Sequence, residues 1–162
     1  MGSEFTGFTH LDASGAARMV DVSAKNVSAR TATATGFVRL SPECVGALRS
    51  GDVPKGDALS VARIAGIMGA KRTPDLVPLC HPIALHGVAV ELTVEDGGVA
   101  IRATVRTADR TGVEMEALTS VTVAGLALID MVKAIDKAAV ITDVRIEEKT
   151  GGRSGTYRRA DS

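Results

Sequence analysis

The chain has 162 residues, and its nineteen lysines and arginines are balanced by nineteen acidic side chains to a formal net charge of +0. That length suits one domain with a buried core, and the charge balance excludes a whole-molecule field that would draw in nucleic acid or an anionic membrane, so any anion site must be local. Aromatic residues make up 2% of the chain, too few for the stacked platforms that grip single strands. Cys44 and Cys80 are too sparse for a disulfide scaffold, and no basic, apolar leader opens the sequence, so the expected compartment is cytoplasmic.

Met1 to Phe5 read as a cloning scar, and residues 1–8 are set apart from an expected single domain over 9–155, with 156–162 as a flexible tail. From Thr6 to Asp21 the chain is small and polar, with Asp12, Ser14 and Gly15 as turn-formers, and reads as an arm. Residues 30–40 alternate Thr31, Thr33 and Thr35 against Ala32, Ala34, Gly36 and Val38, the period of a strand. Ser41-Pro42 offers an N-cap with proline at the first helical position, and Gly51 closes that short helix.

Asp57 caps a second predicted helix over 58–71, where Leu59, Ala62, Ile64, Ala65, Ile67 and Met68 make a broad apolar stripe. Pro74, Pro78 and Pro82 keep the next stretch of chain irregular. Residues 86–94 and 99–107 alternate cleanly around Glu95-Asp96-Gly97-Gly98 and predict a hairpin. A long helix is expected over 113–135, apolar on every side in its middle, so burial at a subunit interface is expected too. The longest uncharged stretch, between Glu116 and Asp130, falls short of the ~20 residues that span a bilayer. Residues 140–148 read as a last strand, and Thr150 to Gly155 as a glycine-rich tail. This order suits an α+β fold, a ferredoxin-like antiparallel sheet with helices packed on one face.

Asp130 is the most informative polar residue. It shares a helical face with Val123, Ala127 and Ala134, which could desolvate its carboxyl and raise its pKa, and Lys133 lies one turn on. Composition alone favours a plain ion pair between the two. Glu114 and Glu116 open the same helix as ordinary dipole partners. His81 sits in irregular chain as a plausible acid–base group, while Cys80 beside it lacks the ligand pairs that zinc requires. Lys55 lies in a rigid turn, and Lys149 precedes a glycine-rich run able to wrap a phosphate. Together these side chains are the makeup of a local pocket for an anionic small molecule.

Four strings also carry a resemblance: MVDVSAK (19–25), KGDALSVARIAGIMGAKRTPDLVPLCHP (55–82), TGVEMEALTSVTVAGLALIDMVKAIDK (111–137) and EKTGGRSG (148–155). They resemble the molybdenum cofactor biosynthesis protein C family, the cyclic pyranopterin monophosphate synthases, over nearly the whole chain. The resemblance implies a homohexamer, a trimer of dimers, with active sites at subunit interfaces. It implies a lyase that converts 3′,8-cyclo-7,8-dihydroguanosine triphosphate, made from GTP by a separate radical iron–sulfur enzyme, into cyclic pyranopterin monophosphate with release of pyrophosphate.

Family catalytic positions fall on Asp130 and Lys133, with Lys55, His81, Glu114 and Glu116 in the same pocket. Cys80, Pro82 and Met115 join that substrate pocket, and Arg30, Arg110 and Lys149 resemble substrate or phosphate binders. Lys133 is expected as the main general acid, oriented by Asp130, with Lys55 as a second proton-transfer group. The sequence calls for no cofactor or metal and leaves open whether Mg²⁺ accompanies the triphosphate. Two other readings stand beside the synthase: a non-catalytic nucleotide-binding module on the same fold, and an interaction protein in which Asp130 and Lys133 staple an interface.

Overall fold

The computed structural model describes residues 7–161, so the expected scar lies outside the described residues. Strand β1 (Ser28–Arg39) buries Ala32, Ala34, Gly36 and Val38, as the alternation demands. Helix α1 (Pro42–Ser50) starts at Ser41, whose side chain accepts from the Cys44 amide, and stops at Gly51 in the left-handed conformation. Helix α2 (Ala58–Lys71) is capped by the Asp57 carboxylate on the Ser60 amide. A single turn, α3 (Thr73–Leu76), comes next. The hairpin is β2 (Gly87–Glu95) and β3 (Gly98–Asp109), in register from Gly87 against Arg106 to Glu95 against Gly98. Then come α4 (Glu114–Val132), β4 (Val140–Thr150) and β5 (Tyr157–Arg158).

The sheet runs β2-β3-β1-β4-β5, every neighbour antiparallel. Its first four strands have the ferredoxin-like order, and α4 lies across their inner face through Val121, Gly125, Leu128 and Val132. Gly36 leaves the room that Val121 and Val144 occupy: a Cβ there would sit 2.6 Å from Val121 Cγ1. By length and hydropathy α4 could cross a membrane, but that hydrophobicity is accounted for by the sheet on one side and α2 on the other.

Three expectations need correction. The broad apolar stripe on α2 is split: its small residues Ala58, Ala62, Gly66, Gly69 and Ala70 face inward, while Val61, Ile64 and Met68 are exposed. The reason is close approach, since a Cβ on Gly69 would stand 2.8 Å from Val123 Cβ, so only small side chains fit where α2 crosses α4. Likewise α4 ends at Val132 rather than 135, and Leu126 on its outer side is 62% exposed. Tyr157 and Arg158, expected in a flexible tail, form β5 against Glu148 and Lys149, and Arg159 donates its amide to the Glu147 carbonyl (2.8 Å) and its Nε to the Ile146 carbonyl (2.8 Å). Edge pairing of so short a strand leaves no periodicity to read.

Candidate active site

The polar groups singled out in the sequence gather at the two ends of α4. At its C-terminal end, the turn before α2 is closed by the Gly56 amide on the Val53 carbonyl (3.0 Å) and anchored by buried Val53. This rigid turn presents Lys55 to α4, where Lys55 Nζ lies 3.2 Å from both oxygens of Asp130. Lys133 Nζ donates to Asp130 Oδ1 at 2.8 Å. One carboxylate thus holds two ammonium groups, one of them brought from 75 positions away in sequence.

The expected rise in the Asp130 pKa is not what this chain shows. The hydrogen bond from Lys133, then that from Lys55, holds the carboxyl below the usual aspartate range. Burial opposes this only weakly, because the side chain is 55% exposed. Val123, Ala127 and Ala134 do not close over it, since α4 is covered from the sheet and α2 sides and Asp130 faces neither.

At the N-terminal end lies a cavity of about 540 Å³ whose wall includes Cys80, His81, Glu114, Met115 and Glu116. Glu116 is 2% exposed, and desolvation pushes its carboxyl above the usual range. Its Oε1 accepts from Cys80 Sγ at 3.4 Å, while Oε2 is buried with no partner. Burial, and then the neighbouring Glu116, drives the Cys80 thiol up to about 12, so it stays protonated and serves as a donor. Glu116 is therefore no ordinary dipole partner: it is a desolvated acid.

The arm docks over this end. The His81 Nε2–H donates to the Val20 carbonyl, leaving Nδ1 as the acceptor of the neutral ring. Thr9, His10 and Val22 of the arm complete the cavity wall. Pro82 is exposed and does not line the cavity.

Next to the cavity runs a polar groove of about 220 Å³ shared by Arg30, Glu114, Lys149 and Ser154. Lys149 Nζ donates to Ser154 Oγ (2.7 Å) and pairs with Glu114 Oε1 (3.3 Å), and Arg30 Nε donates to the Asp109 carbonyl (3.0 Å). Gly152, at φ +77°, lies against the Arg30 guanidinium, where no side chain would fit. Arg110 lines neither space: its Nε holds the Lys25 carbonyl at 3.1 Å.

The structure thus brings Lys55, Asp130 and Lys133 together, and separately Cys80, His81, Glu114, Met115 and Glu116 beside Arg30 and Lys149. It does not bring the two groups into one pocket within a single chain. From Glu114 to Asp130 along one helix, at 1.5 Å per residue, is about 24 Å.

Residues 19–152 match the MoaC family model. The chain belongs to the MoaC family. This MoaC-family chain is 68% identical over 152 residues to a cyclic pyranopterin monophosphate synthase of Streptomyces avermitilis, covering 94% of the chain and 89% of that relative. It is 66% identical over 154 residues to the protein of the same name from a Nocardioides species, covering 93% of the chain and 94% of the relative. A relative in Mycobacterium tuberculosis, cyclic pyranopterin monophosphate synthase 2, is 56% identical over 151 residues, covering 93% of the chain and 90% of the relative.

Proposed function

We propose that this MoaC-family chain is a lyase of molybdenum cofactor biosynthesis, a cyclic pyranopterin monophosphate synthase, and that its working site joins the C-terminal end of α4 in one copy to the N-terminal cavity of another. The substrate in this reading is 3′,8-cyclo-7,8-dihydroguanosine triphosphate, and pyrophosphate is released. The observation that carries the two-copy arrangement is the separation of about 24 Å between two halves of one set of chemical groups. Exposed Ile64, Met68 and Leu126 on the helical layer give a second copy apolar surface to cover. A homohexamer, with a separate GTP-cyclising enzyme supplying substrate, and a cytoplasmic location complete the proposal.

The reaction asks for proton transfers among ring nitrogens and carbons, and for charge neutralisation as an internal hydroxyl attacks the α-phosphorus. Lys133 is proposed as the main general acid. Asp130, held ionised by its two ammonium neighbours, fixes the position of Lys133 and Lys55, and covering this end with a second copy would strengthen every charge interaction in it. His81, oriented by the arm, and desolvated Glu116 supply further proton-holding groups beside the rings. Arg30 and Lys149 face the phosphates, with or without a Mg²⁺ carried by the triphosphate.

Mixing inactive Lys133→Ala chains with inactive His81→Ala chains, after dissociation and reassembly, tests this. Sites built from two copies recover activity, up to about a quarter of wild type at equal mixing, because each intact half can meet the other. Sites built within one chain recover none. The non-catalytic alternative is excluded by pyrophosphate release from the GTP-derived substrate.

A further inference from the structure

The string MVDVSAK ends in a residue that the reading so far leaves without a role. Lys25 borders the ring-sized cavity, the polar groove and a third space of about 340 Å³ next to Arg153. The cavity and the groove otherwise share only Thr111, Gly112 and Glu114, so Lys25 is the one cation at their junction among the described residues. It is exposed, and among the described residues its ammonium makes no hydrogen bond or ion pair.

The backbone that carries Lys25 is fixed from four directions. Its amide donates to the Val22 carbonyl at 3.0 Å, and Asp21 Oδ1 accepts the Ser23 amide at 2.8 Å inside the same turn. Upstream, His81 holds the Val20 carbonyl, and Arg110 Nε holds the carbonyl of Lys25 itself at 3.1 Å. The neighbouring cations are less free. Lys149 is already paired with Glu114, and Arg30 has its Nε on the Asp109 carbonyl. A free ammonium on a pinned turn loses little by meeting an anion, since neither partner charge nor backbone order must be given up.

We propose that Lys25 contacts the substrate at the α–β phosphate bridge and stabilises the departing pyrophosphate, with Arg110 as a positioning residue behind it. This rests on the synthase reading above. A molecule with bicyclic rings at one end and a triphosphate at the other, laid from cavity to groove, crosses the junction where its first phosphates begin. In the step concerned, the substrate's own hydroxyl oxygen forms a bond to the α-phosphorus and gives its proton to a general base. The bond from α-phosphorus to the bridging oxygen breaks, and its electron pair leaves with pyrophosphate. Lys25 exchanges no proton: its ammonium neutralises charge that grows on the bridging oxygen, and this contact is stronger in the transition state than in the ground state.

The test uses the assembled full-length protein with Lys25→Ala, Lys25→Arg and, as a control on an exposed lysine that borders none of these spaces, Lys71→Ala. Inorganic pyrophosphate binding is measured by calorimetry, and turnover by pyrophosphate release. Lys25→Ala is expected to lose about tenfold or more in pyrophosphate affinity, and about 10²–10³-fold in kcat with a smaller change in KM. Lys25→Arg recovers part of both, and Lys71→Ala changes neither. Unaltered kcat and unaltered pyrophosphate affinity in Lys25→Ala overturn the proposal, as does an equal loss in Lys71→Ala. Absence of turnover in the wild-type protein would instead remove the synthase reading, and the pyrophosphate affinities would still decide whether Lys25 is an anion contact.

Discussion

The two ends of α4 carry the same kind of side chain in opposite conditions. Glu116 is closed off from water and has its carboxyl pushed up by desolvation, whereas Asp130 stands half in solvent and has its carboxyl pulled down by two ammonium groups. Both lie on one apolar helix, so neighbouring residues in sequence do not set the difference. What faces the helix at each end does: the chain around Cys80 at one end, the Lys55 turn at the other. A helix running through a domain can thus hold a proton reservoir at one tip and a fixed anion at the other, which suits a reaction that must both move protons and manage charge.

The contrast is most exposed to disproof at Lys133. Lys133→Ala is expected to lower turnover by about 10²–10⁴-fold, while the melting temperature stays at the wild-type value, because the ion pair is 58% and 55% exposed and screened by water. A large fall in melting temperature with turnover intact would make the cluster a structural staple.

A smaller effect should mark the other end. Because the folded-state pKa of Glu116 lies above its unfolded value of 4.5, the folded state binds more protons than the unfolded chain over the interval that opens there, and stability falls as pH rises through it. Glu116→Gln cannot ionise, so it should flatten this part of a plot of urea midpoint against pH and leave the rest unchanged. An identical slope in both proteins would mean that Glu116 ionises freely despite its burial.

The smallest expected change is a titration shift. Lys55→Met removes one of the two ammonium groups, so the Asp130 carboxyl should move up toward its ordinary value yet stay below it, with Lys133 still in place. Carbon-detected NMR of the Asp130 side chain reads this directly. A carboxyl that does not move would show that Lys55 meets Asp130 only weakly in solution.

The local elements are legible in the sequence for local reasons. Ser41, Gly51 and Asp57 do their capping work within three or four residues, and the hairpin strands advertise their faces every second position. The site is legible only in part. The Asp130–Lys133 pair lies one turn apart and can be seen, but the Lys55 contact joins residues 75 positions apart, and no spacing rule reaches that far. The apolar neighbours of Asp130 point to a raised pKa because periodicity says which residues share a face, not whether anything covers it. Lys25 carries no signal of its own, because its importance comes from three spaces meeting there.

The elements, their caps and the ferredoxin-like class were already written into the order of residues, since those rest on short-range periodicity and hydrogen bonding that each segment carries within itself. Folding had to settle the charge states at the two tips of α4, the docking of the arm on His81 and the division of one set of groups between two ends of a helix. Solvent exclusion and the distance between charges are properties of what packs against a residue, and they exist only once the chain has folded.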